Sequence, residues 1–257
     1  MIDSHAHLGV CRPDDAELVL EAQRVGVERI LTIGLDERSN VDAIAIARDV
    51  DGVFAAVGRH PNNSGGFDAA AADAIEELAA DPLVRAIGET GLDFYRDSAS
   101  EADQVRAFEA QIAIAGRTRL PLVVHLRDSA GPGAGRAVAD AFELLSAEAE
   151  VPVILHCFSA TVERAEQAVR HGWYLSFAGN VTYPSSGELR EAAAIVPDDQ
   201  ILVETDSPYL APQGERGKPN RPVHVTLTAE AVAEARGIGY EQLDAIVTAN
   251  AARLFEW

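Results

Sequence analysis

The chain opens Met1-Ile-Asp-Ser-His5-Ala-His7-Leu8, placing two imidazoles two residues apart inside an apolar run. Side chains at i and i+2 of a β-strand point the same way, so both rings can face one point in space, a geometry that suits a metal ion. Taken alone, such a pair reads equally well as one packed and one solvated histidine, and its company decides the matter. Glu89 follows the apolar run 84–88, His125 follows 120–124, His156 follows 151–155, and Asp206 lies just past 201–203. Each stands at a strand exit. Four imidazoles and two carboxylates are donors for a divalent cation, here without any thiolate.

The elements that must position these residues follow one repeating grammar. Short apolar or β-branched runs at 1–8, 29–34, 53–58, 84–88, 120–125, 151–156, 174–178 and 201–205 read as strands. Between them lie Ala/Glu/Arg-rich segments of helical period at 14–25, 39–49, 67–80, 99–115, 135–148, 161–171, 186–195 and 223–236. Regular alternation implies parallel strands with crossover helices, and eight units in 257 residues predict an α/β chain, a single-domain (β/α)8 TIM barrel over 1–257. Two short helical pieces, 239–248 and 250–256, are expected to close the base. No Gly-x-Gly-x-x-Gly follows the first strand, which disfavours an open dinucleotide-binding sheet. In such a barrel the C-terminal strand ends form the working face, so the six candidate donors converge on one rim.

Composition bounds the setting. Nearly half the residues are apolar, enough for a full core, and no apolar run is long enough to span a bilayer. With the first strand starting at Met1 and no presequence pattern, the sequence predicts a cytoplasmic protein. Cys11 and Cys157 are the only cysteines, with no Cys-x-x-Cys, and are expected to be reduced and structural. On a strand, Cys157 would point away from the face that His156 serves. A formal charge of -20 repels polyanions and argues against nonspecific adhesion to nucleic acid or anionic membrane. Screening over about 8 Å at physiological salt still leaves a local site free to bind phosphate. The sequence shows no obligate protein partner, and a monomer is expected.

The segments Asp3-Ser-His-Ala-His-Leu8, Gly88-Glu-Thr-Gly-Leu-Asp93, Val124-His-Leu-Arg-Asp128, Leu155-His-Cys-Phe-Ser159 and Glu204-Thr-Asp-Ser-Pro-Tyr-Leu210 resemble the TatD family of metal-dependent deoxyribonucleases. The match runs in order along the whole chain. The resemblance implies a TIM barrel of amidohydrolase type and hydrolysis of DNA phosphodiesters. Carried over position by position, it implies that His5, His7 and Asp206 hold one divalent cation, that His125 and His156 hold a second, and that Glu89 bridges them. Two cations suit this chemistry, one activating water and the other neutralising the leaving oxygen. Asp206 is the candidate general base. The nitrogen-rich donor set suits Zn, Mn, Ni or Co better than Mg, although Mg is often assumed in the family.

Two alternatives keep the barrel. Many binuclear relatives bridge their metals with a carbamylated lysine, but the sole lysine, Lys218, lies beyond the eighth strand. A mononuclear deaminase needs an acid soon after the strand-five histidine, which Asp128 could imitate. A small-molecule amidohydrolase or deaminase is therefore the runner-up, and a noncatalytic binding module, which would lack ligands, ranks third. For substrate phosphate, the candidates are His60 in Gly58-Arg-His-Pro61, Arg96, Arg127, and Lys218, Asn220 and Arg221 in the loop after strand eight. Each has a plainer reading. His60 could hydrogen-bond its own loop, and Arg96 or Arg127 could pair with Asp93 or Asp128. Glu204, sharing a face with Asp206, is placed to orient an imidazole N–H. His171 is expected to complement a helix dipole, and His224 to lie on the surface.

Overall fold

Parallel strands covered on both faces read as near-continuous apolar runs, and the computed structural model of the protein places such runs in eight strands. It describes residues 1–11, 14–131 and 134–257. The strands are β1 (Ile2–Ala6), β2 (Arg29–Ile33), β3 (Val53–Val57), β4 (Val84–Asp93), β5 (Leu122–Arg127), β6 (Val153–Leu155), β7 (Tyr174–Phe177) and β8 (Ile201–Val203). They pair in chain order, each parallel to the next. The ring closes where Asp206 N–H donates to His5 O at 2.9 Å, His7 N–H donates to Ser207 O at 2.8 Å, and Ala6 bridges Ser207.

Among the described residues, α1 (Asp15–Gln23), α2 (Glu37–Asp49), α3 (Ala69–Leu78), α4 (Glu101–Thr118), α5 (Arg136–Glu148), α6 (Val162–Arg170), α7 (Gly187–Ile195) and α8 (Val225–Arg236) are the crossover helices, with α9 (Tyr240–Phe255) after them. Side-chain caps start several: Asp14, Asp36, Asp68, Ser100 and Thr161 each accept a backbone N–H of the first turn. Together, strands and helices make the expected (β/α)8 TIM barrel.

Three expectations are corrected. The two final helical pieces form one helix, α9, because Asn250 does not break it. Its side-chain amide donates outward to Asp198 O at 2.7 Å and Ile201 O at 2.8 Å. Glu89 lies within β4, not beyond it. Gly88 and Gly91 adopt φ of 140° and 133°, and a Cβ on Gly91 would come within 2.1 Å of His125 O, so glycine alone lets β4 run this close to β5. Cys157 is off-strand at φ 45°, because β6 ends at Leu155, and its N–H donates to Glu204 Oε1 at 2.8 Å.

The ladder is irregular where the candidate donors sit. Register shifts fall between Asp3 and Ala6 in β1, which brackets His5, and between Ile87 and Thr90 in β4, which brackets Glu89. Bulges of this kind re-aim side chains beside a site. None of the described helices is long and apolar enough to cross a membrane.

Candidate metal centre

Strands β1, β4, β5 and β6 and the segment after β8 deliver their polar side chains to one buried point. His5 Nε2 and His7 Nε2 are 3.3 Å apart. Asp206 Oδ1 lies 3.7 and 3.3 Å from them, and Glu89 Oε2 lies 3.4 and 3.6 Å away. The other oxygen of Glu89 serves a second set: Oε1 is 2.8 Å from His125 Nδ1 and 2.9 Å from His156 Nε2, nitrogens themselves 3.3 Å apart. His60 Nε2 approaches the same oxygen at 3.5 Å. One carboxylate thus divides its two oxygens between two groups of imidazoles.

These groups are poorly matched to one another. Imidazole nitrogens face each other at 3.3 Å, where at most one of a pair can donate. Glu89 Oε2, His5 Nδ1, His7 Nδ1 and His125 Nε2 are buried without a hydrogen-bond partner, and of these Glu89 Oε2 is the one turned into the cluster. Buried polar atoms are ordinarily satisfied. A cation in each group, seated among its facing nitrogen and oxygen atoms, would replace these mismatched contacts, so the residues present fit divalent metals.

Without a cation, the imidazoles and carboxylates balance one another's charge. Burial opposes ionisation of Glu89, yet the surrounding His156, His60 and His125 hold its carboxyl well below the usual range. Burial likewise disfavours a charged His156, but the carboxylates of Glu89 and Glu204 raise it well above the ordinary imidazole value. Asp206 is held low against burial by His7. His60 is pushed down to about 3, first by burial and despite the attraction of Glu89. Burial drives the Cys157 thiol well up, which leaves no reactive thiolate beside the centre.

Outer partners orient the rings. Glu204 Oε1 lies 3.1 Å from His156 Nδ1, the place anticipated for it. Asp93 Oδ2 lies 3.5 Å from His125 Nε2 and accepts from Asn62 Nδ2 at 3.1 Å. Asp3 is completely buried and clasps the segment after β8: Thr205 N–H donates to Oδ1 at 2.9 Å, and Thr205 Oγ1 meets Oδ2 at 2.6 Å. Burial pushes its carboxyl up to about 8, although the Thr205 bonds act the other way. Sequence reasoning missed the roles of Asp93 and Asp3. The signal was available, because Asp3 stands two residues before His5 just as Glu204 stands two before Asp206.

The remaining candidates divide. His60 combines its two readings: Nδ1 accepts Asn62 N–H at 3.1 Å, capping its own turn, while Nε2 faces Glu89. The exposed Arg127 lays its guanidinium 4.0 Å over the Tyr95 ring rather than against Asp128, whose carboxylate accepts Ala137 N–H. Arg96 is exposed and meets Asp93 through its backbone N–H at 3.1 Å. The later loop is different. Lys218 pairs with Glu215 at 2.8 Å, Arg221 with Glu21 at 2.9 Å, and the buried Asn220 spends its amide internally on Thr205 O, Arg221 N–H and His224. Asn220 therefore braces this loop instead of facing a substrate. His171 caps α6 as expected, with its ring stacked on Trp173, whereas His224 is half-buried against Asn220 rather than on the surface.

Barrel and donor set together define a class, the metal-dependent hydrolases built on a TIM barrel. The chain belongs to the TatD related DNase family, whose pattern it matches over residues 2–256. It is 37% identical over 261 residues to the metal-dependent hydrolase YabD of Bacillus subtilis, covering 99% of this chain and 98% of that one. It is 36% identical over 249 residues to the 3'-5' ssDNA/RNA exonuclease TatD of Escherichia coli, covering 94% and 93% respectively. The crystal structure of YjjV, a TatD homolog from Escherichia coli, superposes with a TM-score of 0.89 at 25% identity, over 100% of this chain and 98% of that one.

Proposed function

We propose that the protein hydrolyses phosphodiester bonds near the ends of DNA strands with two divalent cations. The carrying observation is the division of Glu89, with Oε2 turned to His5 and His7 and Oε1 to His125 and His156. In this reading His5, His7 and Asp206 hold one cation, His125 and His156 the other, and Glu89 both. The nitrogen-rich donors support Zn, Mn, Ni or Co ahead of Mg. When bound, the cations would supply Lewis acidity toward a phosphodiester oxygen and lower the pKa of water toward about 7.

The chain's own residues prepare for this. Glu204, 3.1 Å from His156 Nδ1, would hold the ring so that Nε2, once deprotonated, turns its lone pair to a cation, and Asp93 stands behind His125 at 3.5 Å from Nε2 with Nδ1 inward. Asp206, charged at neutral pH, is the group placed to take a proton from attacking water. His60, with Nδ1 occupied by Asn62, carries its proton on Nε2 and offers an N–H at the edge of the centre. The exonuclease name of the Escherichia coli relative supports a nucleic-acid substrate. The reading takes the protein to be a cytoplasmic monomer.

Labelled single-stranded DNA with Mn or Mg tests the proposal against the Glu89→Ala and His125→Ala variants, with metal content measured in parallel. Wild type should cleave and both variants should fail. Equal activity in all three would remove this centre from the reaction, and turnover of amides or aminopurines instead of DNA would transfer the site to a small-molecule hydrolase.

A further inference from the structure

Two aromatic side chains stand where folding gives them nothing to do. Among the described residues, Tyr95 and Tyr209 are the aromatic side chains that are exposed, at 55% and 54%, while the others are buried or half-buried in the core and between helices. Both sit on the catalytic rim, one just after β4 and one in the segment after β8.

Their backbones are fixed although their rings are open. Tyr95 N–H donates to Asp93 Oδ1 at 3.0 Å, and Tyr209 N–H donates to Asp206 O at 2.8 Å. The anchors are the Asp93 side chain, which stands behind His125, and the backbone carbonyl of Asp206. Each ring also has a partner that limits its swing: the Arg127 guanidinium lies 4.0 Å over Tyr95, and Tyr209 meets His7 edge-on at 5.8 Å between centroids. A cation over one face of Tyr95 fixes the ring and leaves the other face to solvent.

The strand order sets the two tyrosines on opposite sides of the barrel mouth, since β4 and β8 stand four strands apart in a closed ring of eight. A chain of close contacts runs from Tyr209 to His7, from His7 Nε2 to Glu89 Oε2 at 3.6 Å, from Glu89 Oε1 to His125 Nδ1 at 2.8 Å, and from His125 Nε2 to Asp93 Oδ2 at 3.5 Å. Tyr95 hangs from that last carboxylate. A strand laid across Glu89 would run between the side of the rim that carries Tyr209 and the side that carries Tyr95.

We propose that Tyr209 and Tyr95, the latter backed by Arg127, are base-stacking platforms that flank the scissile phosphodiester and select single-stranded nucleic acid. This rests on the hydrolase reading above and adds its substrate-sorting residues. An unpaired base exposes a π-face that any aromatic ring can stack on, whereas bases in a duplex keep their faces against each other. Stacking needs no particular base, so the platforms confer strandedness rather than sequence preference. They also supply binding that an acidic chain cannot obtain from a long basic groove.

The test uses metal-loaded protein and a phosphorothioate-linked single-stranded oligonucleotide carrying 2-aminopurine near its end, whose fluorescence falls on stacking. Wild type should quench it; Tyr209→Ala and Tyr95→Ala should each lose most of the quenching and bind about tenfold more weakly, within the range measured for base–aromatic stacks. Tyr→Phe and Tyr→Trp at either position should retain binding, since the ring and not the hydroxyl acts. In steady-state cleavage of ordinary DNA the alanine losses should fall mainly on KM, and on an oligonucleotide abasic at the terminal positions they should shrink to within about twofold. Equal losses on abasic and normal DNA, or alanine variants that bind like wild type while DNA is still cleaved, would overturn the platforms and leave the hydrolase intact. Tyrosine-dependent quenching by a protein that cleaves no DNA would uphold the platforms and remove the hydrolase reading.

Discussion

The inner rim and the loop after β8 are both rich in charged side chains, and they treat them in opposite ways. In the rim, Glu89 faces five imidazoles, Glu89 Oε2 and three histidine nitrogens lack hydrogen-bond partners, and like nitrogens are pressed together. In the loop, every candidate has a partner in the protein: Lys218 has Glu215, Arg221 has Glu21, and Asn220 has the backbone of Thr205. Leaving buried polar groups unmatched costs stability, so a cluster that persists in that state is arranged for something that arrives later. The residue types alone do not separate the two regions; how each polar atom is satisfied does.

The sharpest way to break this contrast is Glu89→Ala. It removes the shared carboxylate of both donor sets and should cut cleavage by at least about 10^3-fold, the scale of losing a principal electrostatic stabiliser, together with most of the bound metal. Chelation comes next. Adding metal back at a hundred times its dissociation constant should raise wild-type unfolding free energy by about 2.7 kcal/mol, read by thermal or urea melts, and Glu89→Ala should lose that response. If both proteins respond alike, the cation binds elsewhere.

Asp93→Asn and Glu204→Gln sharpen the picture of the outer partners. Each should lower metal affinity or activity by about 10–100-fold, the usual effect of disturbing the group behind a ligating histidine. In the loop, Asn220→Ala should behave as a structural loss, destabilising the fold by about 1–3 kcal/mol through the carbonyl of Thr205 left without its donor. A fall in affinity for DNA without a fall in stability would return Asn220 to the substrate site.

The smallest effect lies away from both regions, at the start of α2. Asp36 accepts from Ser39 N–H and Oγ at 2.9 and 2.7 Å, and these bonds hold its carboxyl below the ordinary value although partial burial acts the other way. Its contribution is therefore complete above the ordinary carboxylate pKa and is lost as pH falls through the lowered folded one. Asp36→Ala should cost about 1 kcal/mol near neutrality, with the gap to wild type closing in acid; a gap independent of pH would show that the charge plays no part.

Much of this was legible in residue types and spacing. The alternation of apolar runs and helical segments predicts the barrel, and the positions of His5, His7, Glu89, His125, His156 and Asp206 place them together at one rim. The limits of elements were less legible. Gly88 and Gly91 read as the end of a strand, yet they are what allows β4 to continue past Glu89 against β5. The pieces 239–248 and 250–256 read as separate, but they form one helix in which the Asn250 amide, able to compete for local backbone bonds, is occupied by the Asp198 and Ile201 carbonyls from another part of the chain.

The sequence by itself determined which side chains are candidate donors and that each falls in or just past a strand, since period and residue type are local properties of the chain. Only the tertiary structure decided how they are used: that Glu89 splits its oxygens, that Asp3 clasps Thr205 across 202 residues, and that Lys218 and Arg221 are spent on neighbouring acids. The physical reason is that a polar atom's role depends on which partner fills its hydrogen-bonding capacity. Those partners come from strands and loops that meet only when the barrel closes.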